Sequence, residues 1–447
     1  MRVALIGDNS IEFVKLIFSI WNDGDCVVLI DPQTPKRIAI EMMNDANVKK
    51  CYVEKKYFDI TEYNISDSIQ VISYDIKNEM PYLLLPEMCT DFKINYSKCE
   101  ALVIYTSGTT GKSKGIILSH FAINTNADAI IAYMKPLHND RMYILRSLTH
   151  SSTLTGELMV AIKAQIPLLI APIRMPPRYV MNNIRKFGIS IIGVNPSLLS
   201  MYAKECDNKV YDISSLRRIY VSGSVLTDDL YNRARRVFSK QELYNVYGLS
   251  EAAPRVAAQR VDCCKNNSVG KPILGVEVVI VDENGVIVRN GDRGIIHVSS
   301  PSLFDGYVCG DTKYKSLYRG WLNTGDIGHF DTNGELHIVS RVDDLIIIGA
   351  HKIYPADVEK NICEYLDVAD CVVTQICHME KAVLGCVYVS EKEIGSDVIN
   401  KLVSVLMKYE IPRVFVRVDR IPRTSNGKIA MQNVKNVIIN KIKEFNL

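Results

Sequence analysis

Short apolar runs alternate with amphipathic segments along the first half of the chain. The apolar runs of strand length lie at residues 3–6, 26–30, 102–105, 168–170, 191–194 and 219–221. Apolar positions recur at helical spacing over residues 11–22, 120–133 and 156–164. This alternation of strands and helices predicts an α/β fold with a mostly parallel sheet that is covered by helices on both faces.

The pattern changes twice in the second half. Short strands are predicted at residues 276–281, 286–289 and 295–298, separated by the turn signals Asn284-Gly285 and Asn290-Gly291. They indicate a small β-barrel-like subdomain over about 256–340. After Arg341, strands at 346–348, 371–375, 384–389 and 414–418 mix with helices at 356–364 and 397–406. We therefore expect a large N-terminal domain, residues 1–341, and a separate mobile α+β domain, residues 342–447.

Composition narrows the class of protein. The 447 residues are 47% hydrophobic and 23% charged, which is typical of globular chains and excludes a disordered or coiled-coil protein. A net charge of +3 provides no basic field for nucleic acid. None of the 12 cysteines forms a Cys-x-x-Cys pair, and no apolar stretch reaches the ~18 residues of a membrane span. We expect a cytoplasmic protein with free thiols and no signal peptide.

The most informative segment follows the strand at 102–105 and is expected to lead into a helix. It contains Thr106, Ser107, Gly108, Thr109, Thr110, Gly111, Lys112, Ser113, Lys114 and Gly115. Glycines let the backbone approach an anion, while hydroxyl groups and lysines bind phosphate oxygens. The Walker A pattern fails by one defining residue, because Thr106 occupies the position of its first glycine. A dinucleotide fingerprint is also excluded, because Gly7 has no partner glycines.

This segment resembles the phosphate-binding signature of the adenylate-forming superfamily, which includes acyl- and aryl-CoA ligases, peptide-synthetase adenylation domains and luciferases. Further motifs resemble those of the superfamily and occur in its order, at residues 222–224, 245–251, 321–326, 340–355 and 422–429. The resemblance covers nearly the whole chain. Ser250 stands where the family usually has Thr, Ser340 stands where it has Gly, and the chain begins later than most members.

The resemblance implies a nucleotide site. Tyr247 would stack on adenine, Asn245 would contact its exocyclic amine, and Glu251 would hold Mg²⁺. The expected nucleotide-binding residues are Thr106, Ser107, Gly108, Thr109, Thr110, Gly111, Lys114, Gly223, Asn245, Tyr247, Gly248, Ser250, Asp326 and Arg341. Asp326 would bind the ribose hydroxyls. The expected catalytic residues are Lys428, Glu251 and Thr106. Asp343 would be the hinge between the domains, and Gly349 would lie in a pantetheine tunnel.

The reaction implied is ATP-dependent activation of a carboxylic acid. The acid would form acyl-AMP and pyrophosphate, and the thiol of CoA or phosphopantetheine would then displace AMP. Residues 147–152 lack the acidic residue of amino-acid-activating domains, and Glu157 is the nearest one. The acyl pocket is expected at His150, Val194, Ser222 and Gly248, among apolar or small residues without a buried counter-charge. An aryl or aliphatic acid is therefore favoured over an α-amino acid.

Three alternatives stay open. A carrier-protein-loading adenylation enzyme would use the same thiol chemistry as a CoA ligase. A P-loop NTPase or kinase would release ADP instead of AMP and pyrophosphate. A non-catalytic nucleotide-binding relative would have no need of Lys428, Glu251 and Asp326 together.

Overall fold

The computed structural model describes residues 1–57, 69–77, 80–107, 113–259, 268–308, 317–318, 320–348, 351–366, 368–378, 381–395, 400–423 and 429–445. The chain divides into two compact units. The first contains Met1–Val279, His297–Thr324 and Asp331–His337, and the second contains Ile280–Ile296, Gly325–Phe330 and Ile338–Leu447. Their mixture of helices and sheets confirms the predicted α/β fold.

The strands follow one another along the whole chain. They are β1 Arg2–Ile6, β2 Cys26–Ile30, β3 Lys50–Glu54, β4 Gln70–Tyr74, β5 Tyr82–Leu84, β6 Glu100–Ser107, β7 Ser113–Ser119, β8 Met142–Ile144, β9 Leu168–Ile170, β10 Ile191–Val194, β11 Arg218–Val221, β12 Glu242–Gly248, β13 Arg255–Ala258, β14 Lys271–Pro272, β15 Glu277–Val281, β16 Gly294–Ser299, β17 Gly306–Tyr307, β18 Leu317–Tyr318, β19 Trp321–Phe330, β20 Leu336–Arg341, β21 Ile346–Ile348, β22 His351–Ile353, β23 Asp370–His378, β24 Lys381–Val389 and β25 Val414–Arg417.

The α-helices are α1 Ile11–Asn22, α2 Lys36–Asp45, α3 His120–Met134, α4 Ser151–Thr153, α5 Val160–Lys163, α6 Pro177–Phe187, α7 Pro196–Asn208, α8 Asp228–Val237, α9 Pro355–Leu366 and α10 Met431–Phe445. A π-helical segment, Leu154–Met159, joins α4 to α5. Short 3₁₀ turns lie at Lys55–Tyr57, Pro86–Cys89, Ser250–Ala252, Val342–Asp344 and Asn400–Ser404.

The seven-stranded sheet of the first unit has the order β17-β7-β6-β2-β1-β3-β4. Its central pairs are parallel, whereas β7 pairs antiparallel with both β6 and β17. Every residue of β2 is buried, as expected for a parallel strand covered on both faces. The phosphate segment thus joins two antiparallel strands. The expectation that it leads directly into a helix is wrong, because β7 intervenes before α3.

The eight-stranded sheet has the order β14-β13-β12-β11-β10-β8-β9-β5. Strands β9, β8, β10, β11 and β12 are parallel neighbours in that order. The first unit therefore has two mostly parallel sheets where the sequence predicts one. Because carboxyl ends of parallel strands meet at one edge, the residues after β10, β11 and β12 come together there.

The second unit contains a three-stranded sheet, β23-β24-β25, with a helix against each face. Alternate residues of β23 point to opposite faces. Cys371 and Val373 pack with Val358 of α9, whereas Val372 and Ile376 pack with Val434 of α10. A separate five-stranded sheet has the order β15-β16-β19-β18, with β20 paired to β19.

Two sequence predictions of local structure need correction. Residues 286–289 do not form a strand: only Ile287 makes an isolated bridge, to Val281. Asp282 Oδ1 accepts the Val286 N–H at 2.8 Å, so this segment belongs to a tight turn. The helix predicted at 156–164 starts earlier, at Ser151, and contains the π-helical segment. Among the helices that the structure describes, none combines the length and apolarity of a membrane span.

Candidate active site

The phosphate segment is described at its two ends. Register pairs Thr106 with Lys114 and Ser107 with Ser113 across β6 and β7. The antiparallel register therefore sets Lys114 opposite Thr106. Gly108, Thr109, Thr110 and Gly111 lie outside the described residues, and so do Gly349 and Lys428.

Tyr307 connects the predicted magnesium ligand to this segment. Its hydroxyl donates a hydrogen bond to Glu251 Oε1 at 3.0 Å, and Lys114 Nζ lies 5.9 Å from the centre of its ring. The Phe304 N–H donates to the Glu251 carbonyl at 2.8 Å, which anchors the backbone beside that carboxylate. Glu251 and Lys114 are thus neighbours of one aromatic ring. Sequence analysis missed Tyr307, because it belongs to no motif and only the pairing of β17 with β7 places it.

The adenine segment forms the end of β12. The Asn245 side chain donates to the Ser268 carbonyl at 3.1 Å, and its backbone N–H donates to Gln259 Oε1 at 2.9 Å. Gly248 follows a bulge in the pairing of β12 with β13. A Cβ at Gly248 would stand 2.2 Å from the Pro254 carbonyl oxygen, so only glycine fits.

The residues predicted for the acyl pocket come from adjacent strand ends. The Ser222 N–H donates to the Val194 carbonyl at 3.0 Å. Gly223 follows with a φ of +100° and is exposed, a conformation that favours glycine. His150 begins the helical segment, and the hydroxyl of the next residue, Ser151, lies 3.2 Å from that of Ser250. The structure therefore brings the predicted acyl and α-phosphate segments into contact.

A buried ion pair lies against Ser222, so the expectation of a pocket without buried counter-charge is wrong. Arg146 donates to Ser222 Oγ at 2.8 Å and to Glu157 Oε1 at 2.7 Å. Arg146 is 8% exposed, Glu157 is fully buried, and Arg255 nearby is 1% exposed. The pair was missed because Arg146 lies outside every motif and Glu157 was considered only as a partner for an amino group.

Burial and the attraction between the two charges have opposite effects on the pKa of Glu157 and on that of Arg146. Desolvation raises the pKa of Glu157, and the attraction of Arg146 only partly offsets the rise. For Arg146, desolvation lowers the pKa but Glu157 and Tyr220 raise it further, so the guanidinium stays charged. Arg146 thus keeps its positive charge although it is buried inside the first unit.

Two predicted nucleotide-binding residues meet in the second unit. Arg341 Nη1 lies 3.5 Å from Asp326 Oδ1, and Asp326 is 8% exposed. Gly325 between the neighbouring motif residues has a φ of +70°. Asp343 is exposed in the 3₁₀ turn Val342–Asp344. Its role as a hinge stays a prediction.

The donor set agrees with the nucleotide and metal that the sequence predicts. Mg²⁺ is usually held by one or two carboxylates together with substrate phosphates, which is the chemistry that Glu251 offers beside Lys114. Tyr247 is 9% exposed at the end of β12, a flat ring of the type that packs on a purine. The described residues therefore fit a Mg²⁺–nucleotide complex.

Comparison with known proteins supports this assignment. The profile of the AMP-binding enzyme family matches residues 1–308. A 2-succinylbenzoate–CoA ligase of Bacillus cereus is 26% identical over 445 residues, covering 98% of this chain and 88% of the relative. The Bacillus licheniformis ligase of the same name is 26% identical and covers 95% of this chain and 87% of its own.

Solved structures share the fold. ATP-bound MatB from Rhodopseudomonas palustris superimposes with a TM-score of 0.86 at 22% identity, covering 97% of this chain and 88% of that one. MenE from Bacillus subtilis, in complex with the acyl-adenylate OSB-AMP, superimposes with a TM-score of 0.81 at 23% identity and with the same coverage of the two chains. The prediction of an enzyme, an AMP-forming acid–thiol ligase, agrees with the family and with the names of its ligase relatives. The family match extends over more than half of the chain, and this protein belongs to the AMP-binding enzyme family.

Proposed function

We propose that this enzyme activates a carboxylic acid with ATP and transfers the acyl group to a pantetheine thiol. The observation that carries the proposal is the grouping of Glu251, Tyr307 and Lys114 at the end of the phosphate hairpin. A carboxylate and a lysine that both neighbour one tyrosine suit a metal–triphosphate complex. The family match and the names of the ligase relatives support the same chemistry.

In the first step a carboxylate oxygen of the acid bonds to the α-phosphorus of ATP, and the bond to pyrophosphate breaks. The acid is already ionised near pH 7, so no general base is needed. Thr106, the residues up to Gly111, and Lys114 would hold the phosphates, while Ser250 would contact the α-phosphate. Lys428 would stabilise the charge that develops around the α-phosphorus. Bound Mg²⁺ supplies further electrostatic stabilisation of these oxygens.

In the second step the thiol sulfur attacks the acyl carbon and AMP leaves. Lys428 and the pantetheine arm would use the same site in turn, with Asp343 as hinge and Gly349 beside the arm. The CoA named in the relatives favours CoA as acceptor over a carrier protein. An aryl or aliphatic acid is favoured, as the sequence predicts.

Pyrophosphate exchange tests the first step. With a panel of aryl, aliphatic and amino acids, at least one acid should drive labelled pyrophosphate into ATP, with AMP as the nucleotide product. Lys428→Ala should reduce exchange by at least about a hundredfold, as loss of one electrostatic stabiliser commonly does. Lys392→Ala, at an exposed bend, is the matched control and should retain exchange. Formation of ADP, or exchange with no acid at all, would contradict the proposal.

A further inference from the structure

A cluster of buried polar side chains, Arg146, Glu157, Tyr220 and Arg255, lies at the carboxyl ends of the eight-stranded sheet. All four residues are between 0% and 8% exposed. Arg146 pairs with Glu157 at 2.7 Å, and the Arg255 guanidinium lies 5.3 Å from the centre of the Tyr220 ring. Charged side chains are seldom this buried unless they are paired or bind another group, because removing a charge from water costs free energy.

The backbone is shaped to accommodate this cluster. A Cβ at Gly193 would stand 2.3 Å from the Tyr220 hydroxyl and 2.7 Å from Glu157 Oε1. At Gly156 it would stand 3.4 Å from Arg255 Nη2. The contact at Gly156 would be an ordinary one, so Gly193 is the glycine that makes room for the Tyr220 hydroxyl and the Glu157 carboxylate, and it does so without a positive φ.

The cluster contains more positive charge than negative charge. Two guanidinium groups face one carboxylate. Arg255 Nη1 and Nη2, Arg146 Nε, Glu157 Oε2 and Tyr220 Oη make no hydrogen bond of good geometry with the described residues. Nearby groups influence them all the same: the Tyr133 hydroxyl interacts with Arg255, and Tyr220 interacts with Arg146 and Glu157. Buried donors almost always have partners, so these atoms point to an additional group that accepts hydrogen bonds. Burial raises the pKa of Glu157, and the attraction of Arg146 offsets part of that rise.

The cluster adjoins the predicted acyl pocket. Arg146 donates to Ser222, which is followed by the exposed Gly223, and Gly193 precedes Val194. Glu157 lies on the helical segment that His150 begins. Arg255 follows the segment that contains Ser250 and Glu251. The cluster therefore lies next to residues from which the acyl pocket is predicted to be built.

We propose that the cluster recognises a second carboxylate of the substrate, so that the enzyme activates a dicarboxylic acid, with Arg255 and Tyr220 as donors and Arg146 positioned by Glu157. This inference rests on the proposed function and narrows the acid it acts on. The printed name of the ligase relatives, which act on 2-succinylbenzoate, also describes a dicarboxylic acid.

A matched substrate series tests this inference. Linear and aromatic dicarboxylic acids are compared by pyrophosphate exchange with monocarboxylic acids of the same length. The dicarboxylic member should have the higher kcat/KM by at least about tenfold, because a buried donor left without a partner discriminates strongly. Arg255→Met should abolish that preference while monocarboxylic acids retain their rate within about threefold. Arg255→Lys should restore part of it, and Tyr220→Phe should lower it.

Arg218→Met is the matched control. Arg218 is also buried, at 7% exposure, but it pairs with Glu242 at the opposite end of β11. This variant should leave the preference unchanged. Equal use of both acid classes by the wild-type enzyme, or an unchanged preference in both Arg255→Met and Tyr220→Phe, would overturn the inference alone. Absence of exchange with every acid would instead contradict the proposed function.

Discussion

At the scale of single residues, Asn126 holds the segment that carries Glu251. Its side chain is fully buried and donates to the carbonyls of Ala252 and Arg255 and to the Ser302 hydroxyl, at 2.9–3.1 Å. Its Oδ1 accepts the Arg255 N–H at 3.0 Å. One amide thus satisfies several polar groups of the connection between β12 and β13.

Replacing this amide should destabilise the protein. Asn126→Leu removes the acceptor of the Arg255 N–H and the donor to three acceptors, which should cost about 3 kcal/mol of unfolding free energy. Denaturant unfolding measures the loss. Asp128→Asn on the same helix is the control: Asp128 pairs with Lys163 but is 47% exposed, so the change should stay within about 1 kcal/mol. Similar losses in the two variants would contradict the assigned role of Asn126.

At the scale of elements, polar side chains that follow a strand also cap the N-terminus of the next helix. Asn195 follows β10, and its Oδ1 accepts the Leu198 N–H at 2.8 Å, with Pro196 in the first turn of α7. Ser10 does the same for α1, at 3.0 Å from the Phe13 N–H. These caps satisfy N–H groups that have no partner within the helix.

The cap of α7 is open to a direct test. Asn195→Ala should lower the free energy of unfolding by about 1 kcal/mol, because one helical N–H loses its acceptor. Asn195→Asp keeps an acceptor of similar shape and should retain most of the stability. Equal destabilisation by both substitutions, measured by chemical denaturation, would show that the hydrogen bond to Leu198 is not what matters.

At the scale of the whole molecule, the second unit contains a carboxylate that titrates near neutral pH. Glu359 Oε1 accepts the Val373 N–H at 2.8 Å, which joins α9 to β23. Desolvation raises the pKa of Glu359 to about 7, and Asp370 and Asp344 contribute to the rise, whereas the hydrogen bond lowers it. The folded state therefore binds this proton more tightly than the unfolded chain does.

This difference predicts a pH dependence. The stabilisation is complete below the unfolded pKa of about 4.5 and disappears as pH rises through about 7. Since Glu359 is partly exposed, the free energy of unfolding should fall by roughly 1–3 kcal/mol over this pH range. Glu359→Gln keeps the acceptor without the titration. The stability of this variant relative to the wild type, measured by thermal unfolding, should increase between pH 5 and pH 8. A difference in stability that stays constant with pH would contradict the raised pKa of Glu359.

The predicted hinge concerns the enzyme as a whole. Asp343→Pro restricts the backbone φ at this position and should impair thiol transfer from preformed acyl-AMP much more than pyrophosphate exchange. Asp343→Ala leaves the backbone free and should affect both steps only mildly. Equal loss of the two half-reactions in the proline variant would remove Asp343 as the hinge.

The sequence predicted much of the local structure correctly, because the patterns that define these elements are local. The observed bounds agree with those predicted from the apolar pattern of the sequence for α1, β2, β9, β10 and β21. The motif order indicated the family without any coordinates. Gly248 and Gly325 show why motifs could be found in the sequence. Each glycine meets a steric or backbone requirement that its immediate surroundings set.

Only the tertiary structure decided which distant residues meet. The bond from Tyr307 to Glu251 spans 56 positions, and that from Arg146 to Ser222 spans 76. No periodicity or motif encodes such contacts, because they depend on strand order and on how the strand ends align across each sheet. The sequence by itself determined the family and the local elements. The fold decided that two buried arginines and one glutamate lie together beside the predicted acyl pocket, since burial is a property of packing.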